Sequence, residues 1–416
     1  MLGAGSIFQQ LHAANFSLAE KKLSSNDPAK IASDADYWKT IQQAYTASTS
    51  DIVILNNGGV SPQPLSVQEA LDRYNAFSSR GPSYYMWRLL DKGREPLRNS
   101  LAKLAGVHAD EIAINRNATE ALNTVIYGLD FDKGDEVIGT YQDYPNMIQA
   151  WRQRAMRDGV VYKQINFQFP IEDDDTIVGA FERAITPKTK LLHITHVVNW
   201  VGQILPVRKI CDMAHKKGIE VLVDGAHSFG LLNFSIADLH CDYFGTSLHK
   251  FLSAPIGSGM LWIKKEHISK VWPLICNDQP KSDNIRKFET LGTRSFAIEQ
   301  AISEAIQFHE SIGAARKEAR IRYLKNRWCK QVLGEKRVRL HTSMKDEYAC
   351  AIAGFSIDGM RPGEVDSILM NKYKIHTVGI EWENIKCVRV TPHVYTTEEQ
   401  VDALAKAIVE IAAKKA

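Results

Sequence analysis

The chain has 416 residues, 44% hydrophobic side chains and a formal net charge of +3. A chain of this length has more residues than one domain with a single hydrophobic core usually contains, so we expect one large domain and a smaller one. The charges are nearly balanced and no long basic tract is present, which gives no sign of a nucleic-acid partner, and no apolar run is long enough to span a membrane.

Residues 1–64 are predicted to form an N-terminal arm that is helical and then loop, and that packs with the smaller domain. The opening letters MLGAGSIFQQLHAAN are small and mildly apolar. They have two interpretations, a helical or disordered arm, or the remnant of an export signal whose basic start is missing. The first interpretation favours a cytoplasmic protein, which we expect, and the second an exported one.

Residues 65–296 are predicted to form the large domain, because strand-like runs alternate there with helical patterns. The strand-like runs are EIAI ending at Ile114, DEVIGT at 135–140, VVYKQI at 160–165, KLLHIT at 190–195, IEVLVD at 219–224 and GMLWI at 259–263. The helical patterns between them include ATEALNTVIYGL, YPNMIQAWRQRAMRDG and VRKICDMAHKKG. This alternation predicts an α/β fold, a mostly parallel sheet sandwiched by helices. Functional residues should then follow the strands, since ligands bind at the carboxyl ends of such sheets.

Residues 297–416 are predicted to form a smaller α+β domain. Its elements are one long helical stretch at 297–333, strands in RVRLHT, ACAIAGFSID and CVRVTP, a helix opening near Pro362 and a last helix from about Glu398. Thr397 and Gln400 have the spacing of a capping box at the start of that last helix. The basic letters KEARIRYLKNR around Arg320 have helical spacing, and we expect a solvated helix face there.

The six cysteines are scattered, and no two form a CxxC pair. This spacing predicts reduced thiols and no cysteine-rich metal site, so we expect no metal in the functional site.

Three polar positions that follow strands each have a functional and a structural interpretation. The letters NRNATEALN come after EIAI, where a helix N-terminus can bind an anion or can simply be capped. Asp224 ends an apolar strand, where a carboxylate is costly without a partner. That partner would be a cationic ring nitrogen, or else the carboxylate caps the next helix. Asn199 can donate to a ligand or be a turn residue.

Lys250 follows the letters DYFGTSLH, at the end of another strand and beside an apolar wall. Desolvation at such a position disfavours the ammonium form, and a neutral amine can attack an aldehyde. Thr246, Ser247 and His249 could hold a phosphate group next to it.

The ordered set NATEALN, VNWVGQILPV, DGAHS and SLHK resembles fold-type I pyridoxal-phosphate (PLP) enzymes of the class V aminotransferase family. The family includes isopenicillin N epimerase-like proteins and cysteine desulfurases. The resemblance runs from ILNNGGVSPQP near Asn56 to VRVTPHVYTTEEQVDAL near Arg389. It implies the fold-type I architecture, pyridoxal 5'-phosphate as cofactor, an amino-acid-like substrate and a homodimer with shared active sites.

The resemblance also implies roles for single residues. Lys250 would carry PLP as a Schiff base and act as general base at Cα, and Asp224 would pair with the pyridine nitrogen. His227 and Asn199 would lie near the phenolic oxygen of the ring, and Tyr144 would stack on its face. The residues that would contact the phosphate are Ala118, Thr119, Ser247, His249 and, from the neighbouring subunit, Thr293.

On the substrate side, the resemblance implies that Arg389 grips the α-carboxylate, because its planar guanidinium binds carboxylates in a bidentate way. Asn57 and Gly58 would belong to a loop beside the substrate. Trp200 and the Tyr84–Trp87 cluster would line the side-chain pocket, or else belong to the core or a dimer interface.

The same family supports several reactions at Cα, and the letters NATEALN and VYTTEEQVDAL favour the isopenicillin N epimerase-like branch. Epimerisation, transamination and lyase chemistry all stay open, since no second base for epimerisation stands out. A cysteine desulfurase or selenocysteine lyase-like activity is the alternative, weakened because no GHHC-like motif precedes Arg389 and Cys387 lies within a strand. Two further alternatives are a non-catalytic PLP-binding protein and a nucleotide-binding protein that uses APIGSG.

Overall fold

The structure is a computed structural model and describes residues 27–413. The two interpretations of the first 15 residues fall outside this range. The helices are α1 (Pro28–Ile31), α2 (Ala35–Gln42), α3 (Leu65–Ser78), α4 (Pro82–Tyr84), α5 (Arg94–Ala105), α6 (Ala118–Gly128), α7 (Pro145–Asp158), α8 (Asp174–Ala184), α9 (Val207–His215), α10 (Ile236–Leu239), α11 (Phe296–Ile312), α12 (Ala314–Val332), α13 (Pro362–Tyr373) and α14 (Glu398–Ala413). The strands are β1 (Val53–Ile54), β2 (Ile112–Asn115), β3 (Glu136–Thr140), β4 (Val161–Ile165), β5 (Thr189–Thr195), β6 (Glu220–Asp224), β7 (Tyr243–Ser247), β8 (Gly259–Ile263), β9 (Val338–Leu340), β10 (Ala353–Ile357), β11 (Ile375–His376), β12 (Val378–Trp382) and β13 (Ile385–Val390).

Seven strands form the central sheet, in the order β2-β8-β7-β6-β5-β3-β4. The pairs from β4 to β7 are parallel, and β8 runs antiparallel to both of its neighbours. Successive side chains of a strand point to opposite faces. Ile112 and Ile114 accordingly belong to one buried cluster and Ala113 to another. Both faces of the sheet are therefore covered, and the predicted α/β class is confirmed.

The strand runs and the three helices predicted for residues 112–263 appear at the expected places, but helix α8 between β4 and β5 was not predicted. The long helical stretch also differs from its prediction. It breaks at Gly313, whose φ of +87° lies outside the helical region, and so forms α11 and α12.

The prediction of a solvated basic face around Arg320 is wrong. Lys317, Arg320 and Lys325 on α12 are exposed by only 2%, 1% and 0%. The helix is packed on several sides, and Arg320 donates to the carbonyl of Ala32 and pairs with Glu398 at 3.1 Å. Helical spacing alone does not show which side of a helix its neighbours cover.

The C-terminal part contains an antiparallel sheet in the order β12-β13-β10-β9. It shares a buried cluster with α12 and α14, and Leu55, just after β1, belongs to the same cluster. Strand β1 pairs in parallel with β11, so the chain before the central sheet is joined to the chain after it. The capping box is confirmed, since Thr397 N donates to Gln400 Oε1 at 3.0 Å and Gln400 N to Thr397 Oγ1 at 3.2 Å. The domain boundaries at 64 and 296 stay predictions.

Residues 27–413 contain neither a membrane-spanning helix nor a cluster of metal ligands. None of the helices there has the length and the apolar composition needed to cross a bilayer. In the same range, no three His, Cys, Asp or Glu residues are grouped as metal ligands would be.

Candidate active site

A cavity of about 220 Å³ lies at the edge of the central sheet where β5, β6 and β7 end. The sheet places it there because these strands are parallel and their carboxyl ends meet at one edge. Its lining residues are Gly59, Asn117, Ala118, Thr119, Leu122, Tyr144, Met147, Thr195, Asn199, Asp224, Ala226, His227, Ser247, His249 and Lys250.

Lys250 and His227 meet inside this cavity. Lys250 Nζ lies 3.2 Å from His227 Nε2, which in turn lies 2.8 Å from the carbonyl oxygen of Gly58. A carbonyl only accepts, so the proton of the neutral imidazole belongs on Nε2. That N–H can also point at a neutral amine, which accepts, but it repels an ammonium. Burial, with Arg389 adding to the effect, lowers the pKa of Lys250 to about 8 although Asp224 opposes this change.

Asp224 ends β6 and is almost fully buried. The N–H of Ala226 donates to Asp224 Oδ1 at 2.9 Å. Burial raises the pKa of this carboxyl, against the opposing effects of that hydrogen bond and of Lys250. A buried carboxylate of this kind is stabilised by a cationic partner.

The turn after Asp224 is held tightly against β7. A Cβ atom at Gly225 would lie 1.9 Å from Phe244 Cζ, so only glycine fits here. Gly225 N donates to the carbonyl of Gly245 at 2.9 Å, and Thr246 Oγ1 donates to the carbonyl of Gly225 at 3.0 Å. These contacts fix Asp224 relative to the strand that leads to Lys250.

The N-terminus of α6 opens onto the same cavity. Asn117 caps the helix by accepting from Glu120 N at 2.9 Å, which confirms that this end is capped. Ala118 N donates to Ser247 Oγ at 3.0 Å, so the hydroxyl at the end of β7 lies against the helix N-terminus. His249 Nδ1 lies 3.1 Å from the carbonyl of Ser258. The free N–H groups and the dipole of a helix start favour an anion at this place.

Tyr144 and Asn199 line the cavity from the segments that follow β3 and β5. Tyr144 lies in the turn between β3 and α7, and its side chain is 40% exposed. Asn199 follows β5 and is buried, and its Oδ1 has no hydrogen-bond partner among residues 27–413. Buried amide oxygens normally have a partner, so Asn199 is suited to bind a ligand group.

Arg389 lies next to the lining residues, on β13 of the C-terminal sheet. It donates to the carbonyl of Asn199 at 3.0 Å and to Asn56 Oδ1 at 2.8 Å. Its Nε is buried and has no partner among the described residues. Burial lowers the pKa of Arg389 to about 10, which leaves the guanidinium charged at neutral pH. A buried cation without a carboxylate is prepared to bind an anionic group.

The loop from Leu55 to Ser61 connects Arg389 with Lys250. Leu55 N donates to the carbonyl of His376, and Ser61 N donates to the carbonyl of His249. Gly58 accepts from His227, and a Cβ atom at Gly58 would lie 3.5 Å from Arg389 Cζ.

Two predicted residues are placed differently from the rest. The side chain of Asn57 is occupied within the protein, since its Nδ2 donates to the carbonyl of Thr391 at 2.9 Å and its Oδ1 accepts from Tyr395 at 2.7 Å. Thr293 is exposed and does not line the cavity of its own chain.

Sequence reasoning missed several lining residues, namely Gly59, Asn117, Leu122, Met147, Thr195 and Ala226. Thr195 is the last residue of KLLHIT, so its place at a strand end was a usable signal. Leu122 and Met147 are apolar residues on helices, and helical spacing gives no sign that they face a cavity rather than the core.

The sequence is similar to proteins of one known family. Residues 53–404 match the family Aminotransferase class-V. The chain is 28% identical over 375 residues to isopenicillin N epimerase from Streptomyces clavuligerus, which covers 86% of this chain and 94% of that protein. It is 29% identical over 388 residues to a probable cysteine desulfurase from Halalkalibacterium halodurans, which covers 86% of this chain and 93% of that one.

Solved structures show the same fold. A C-DES mutant with glycine covalently linked to its PLP cofactor has a TM-score of 0.80 at 21% identity, covering 89% of this chain and 99% of that one. The apo cysteine desulfurase from Thermococcus onnurineus NA1 also has a TM-score of 0.80, at 23% identity, covering 90% of this chain and 98% of that one.

Proposed function

The chain belongs to the class-V aminotransferase family of PLP-dependent enzymes, and from this premise we propose that it acts at the α-carbon of an amino-acid substrate through Lys250. One observation carries the proposal. Lys250 and Asp224 lie in one cavity at the ends of neighbouring strands, and burial holds the pKa of Lys250 at about 8. An amine of this kind is a nucleophile near neutral pH, and the carboxyl beside it needs a cation.

The residues of the cavity fit PLP group by group. Its aldehyde suits the neutral amine of Lys250, and its pyridinium nitrogen suits the buried Asp224. Its phosphate suits the N-terminus of α6 together with the Ser247 hydroxyl. Its phenolic oxygen, an acceptor, suits the side-chain N–H groups of Asn199, which lines the cavity.

Bound PLP supplies an electron sink for the electron pair left at Cα when a bond there breaks. Asp224 keeps a proton on the pyridine nitrogen, because a carboxylate stabilises the cationic form. The amine of Lys250 takes or returns the proton at Cα, and His227 orients that amine while donating to Gly58. Tyr144, which lines the cavity, would cover the face of the ring.

Arg389 binds the α-carboxylate of the substrate in this proposal. Its guanidinium is held in place by Asn56 and by the carbonyl of Asn199. Substrate binding removes the cost of a buried cation with no counter-ion, and this gain selects substrates that carry a carboxylate. Gly58 lies beside Arg389, where its lack of a side chain leaves room.

We assign the chain to the isopenicillin N epimerase-like branch, in which the outcome is epimerisation, transamination or lyase chemistry. Relatives named isopenicillin N epimerase, similar over 94% of their own length, support this assignment. An intact set of Lys250, Asp224 and Arg389 argues against a non-catalytic PLP-binding role.

Cysteine desulfurase activity is the second candidate, favoured by the relatives that carry this name. It requires a reactive thiol. Cys387 does not suit this role, because it is buried and burial raises its pKa to about 12. Cys276 is the exposed cysteine of the chain and is the one to test.

We also propose a homodimer with shared active sites. Thr293 is exposed and outside its own cavity, as a residue that serves the neighbouring subunit would be. Tyr84, Trp87 and Leu89 are exposed by 60%, 43% and 41%, an apolar surface that a second copy would cover.

For the compartment we propose the cytoplasm, supported by six free cysteines.

The test is absorbance spectroscopy of the purified protein with PLP, on wild type and Lys250→Ala. We expect a visible band that borohydride abolishes and that the variant lacks. Titration with a panel of L- and D-amino acids, followed by product analysis, separates epimerase, transaminase and lyase outcomes. Sulfide release from L-cysteine that Cys276→Ser abolishes would favour the desulfurase. The same band in Lys250→Ala, or no uptake of PLP, would overturn the proposal.

A further inference from the structure

A buried lysine on α12 contacts the residue that follows Lys250. Lys317 on α12 is 2% exposed, and its Nζ donates to the backbone carbonyl of Phe251, the residue that follows Lys250. Lys317 Nζ also lies 3.3 Å from His309 Nδ1 on α11. The lysine therefore joins two helices to the loop that carries the cofactor-binding residue.

Lys317 has no carboxylate partner among the described residues. The groups that face it are His309 from α11, the Phe251 carbonyl from the loop after β7, and His393 from the segment after β13. Burial and the nearby lysine hold the pKa values of both histidines well below the ordinary value, so both are neutral. Burial lowers the pKa of Lys317 itself to about 7. A buried ammonium without a counter-ion destabilises the fold, which an apolar side chain here would not do.

The loop that Lys317 holds is also constrained at Ser253 and Phe251. Ser253 has a φ of +59°, a left-handed conformation that is costly for a residue other than glycine, and its N–H donates to the carbonyl of Lys250 at 3.0 Å. The Phe251 ring lies between His227 at 6.5 Å and His393 at 6.0 Å, and is nearly parallel to the latter. The backbone next to Lys250 is therefore held by the Ser253 turn, by Lys317 and by the packing of Phe251. Strain and buried charge of this kind concentrate at functional sites.

We propose that Lys317 is a positioning residue, which fixes the direction of the Lys250 side chain by holding the Phe251 carbonyl. The inference rests on the proposed function, in which Lys250 binds PLP. A charge-assisted hydrogen bond is roughly twice as strong as a neutral one. The loop is therefore held more tightly when Lys317 carries its proton than when it has lost it.

The chain offers a matched control on the same helix. Lys325 is also fully buried, and its Nζ donates to a backbone carbonyl, that of Ser343, at 3.2 Å. Ser343 is remote in sequence from Lys250 and does not line the cavity. Lys325→Met removes a buried ammonium from α12 as Lys317→Met does, but leaves the loop of Lys250 untouched.

The experiment compares PLP-loaded wild type, Lys317→Met and Lys325→Met by two measurements that do not depend on turnover. These are the pH titration of the visible band and the rate at which PLP is lost to a scavenger. For Lys317→Met we expect the titration midpoint to shift by about one pH unit and PLP loss to quicken about tenfold, since one strong hydrogen bond is worth about this much. Lys325→Met should match wild type in both. A Lys317→Met protein that titrates and retains PLP like wild type would overturn the inference, whatever its melting temperature.

The outcome for Lys250→Ala separates the two proposals. If this variant lacks the band while Lys317→Met behaves as wild type, the proposed function stands and the positioning role does not. If wild type itself shows no band, both are overturned.

A measurement on wild type covers the case in which Lys317→Met does not fold. We expect hydrogen exchange of residues 248–258, corrected for the chemical rate, to become about threefold faster between pH 6 and pH 8, as Lys317 loses its proton. Residues 353–357 of β10 should show no such change. Constant protection of the loop across this range would overturn the inference.

Discussion

His227 Nε2 lies 3.2 Å from Lys250 Nζ and 2.8 Å from the carbonyl of Gly58, so one imidazole N–H serves both a main-chain acceptor and the amine. This N–H repels an ammonium but can donate a hydrogen bond to a neutral amine. The burial of Lys250 and its contact with His227 therefore both lower the pKa of Lys250. Both favour the neutral form of the lysine.

The rate of PLP uptake by the apo protein should therefore depend on the protonation of Lys250. Since burial lowers the pKa of this lysine to about 8, the neutral fraction grows as the pH rises through that value. Stopped-flow absorbance between pH 6 and pH 10 should give a rate that rises and levels off above about pH 8 to 9. A midpoint near the ordinary lysine pKa would show that the amine is solvated.

Replacing His227 should shift that midpoint. His227→Ala removes the N–H that disfavours the ammonium, so the uptake midpoint should move upwards, and the unpaired Gly58 carbonyl should slow turnover roughly 5- to 150-fold. His227→Gln keeps an N–H donor at this position and should stay close to wild type. Equal profiles for the alanine and glutamine variants would contradict the role given to the ring nitrogen.

Asp224→Asn should have opposite effects on stability and on function. Burial raises the pKa of Asp224, so the folded apo protein at neutral pH pays a cost for the carboxylate that the unfolded chain does not. This cost is absent below the unfolded-state pKa, and it grows as the pH rises to the raised folded-state value. The apo variant should therefore melt at the same or a higher temperature than wild type at pH 7 to 8. The loaded variant should show a shifted visible band and at least about a hundredfold lower kcat, since the charge opposite the pyridine nitrogen is lost. A lower apo melting temperature would contradict the assigned electrostatics.

Arg389→Lys should raise KM for the amino acid by about 10- to 100-fold, because a point charge cannot reproduce two parallel hydrogen bonds. The visible band should be unchanged, since PLP is bound by other residues. Arg339→Lys, an exposed change on β9 of the same sheet, is the control and should leave KM unaltered. An altered visible band with an unaltered KM would show that Arg389 contacts the cofactor rather than the substrate.

Shared active sites can be tested by mixing two defective chains. Lys250→Ala lacks the cofactor lysine, and Thr293→Trp should block the cavity of the neighbouring subunit. In a randomly mixed homodimer, half of the dimers are hybrids with one intact cavity, so about a quarter of wild-type activity should return. Light scattering checks that both variants are dimers. No return of activity from hybrid dimers would place Thr293 outside the partner's site.

Much of the central sheet could be read from the chain because strand and helix signals alternate there. Asp224, Asn199 and Lys250 could be grouped for the same reason, since parallel strands bring their carboxyl ends together. Asn57 could not be judged in this way. Its side chain is bound by Thr391 and Tyr395, more than 330 residues away, and no local pattern carries that information.

Lys317 shows a second limit of sequence reasoning. The letters KEARIRYLKNR, by their charge and spacing, predict a solvent-exposed helix face. Only the elements packed against α12 show that the basic side chains on this face are buried. Strands β11 and β12 were missed because they are formed by pairing with distant segments rather than by strong local preference. The role proposed for Thr293 depends on a second chain, so the structure of one chain does not test it.

The loop at 55–61 has a consequence for exchanging parts between relatives. The loop comes early in the chain, but its first residue is hydrogen-bonded to the C-terminal part of the protein. Its last residue donates a hydrogen bond to the carbonyl of His249. A chimera that takes its last hundred residues from a relative would keep the native loop, with Asn56, against a foreign sheet, so that Asn56 and the arginine it contacts would come from different parents. Such hybrids should recover only when residues 53–61 come from the same parent as the C-terminal part. The two segments should therefore be exchanged together, although most of the chain lies between them.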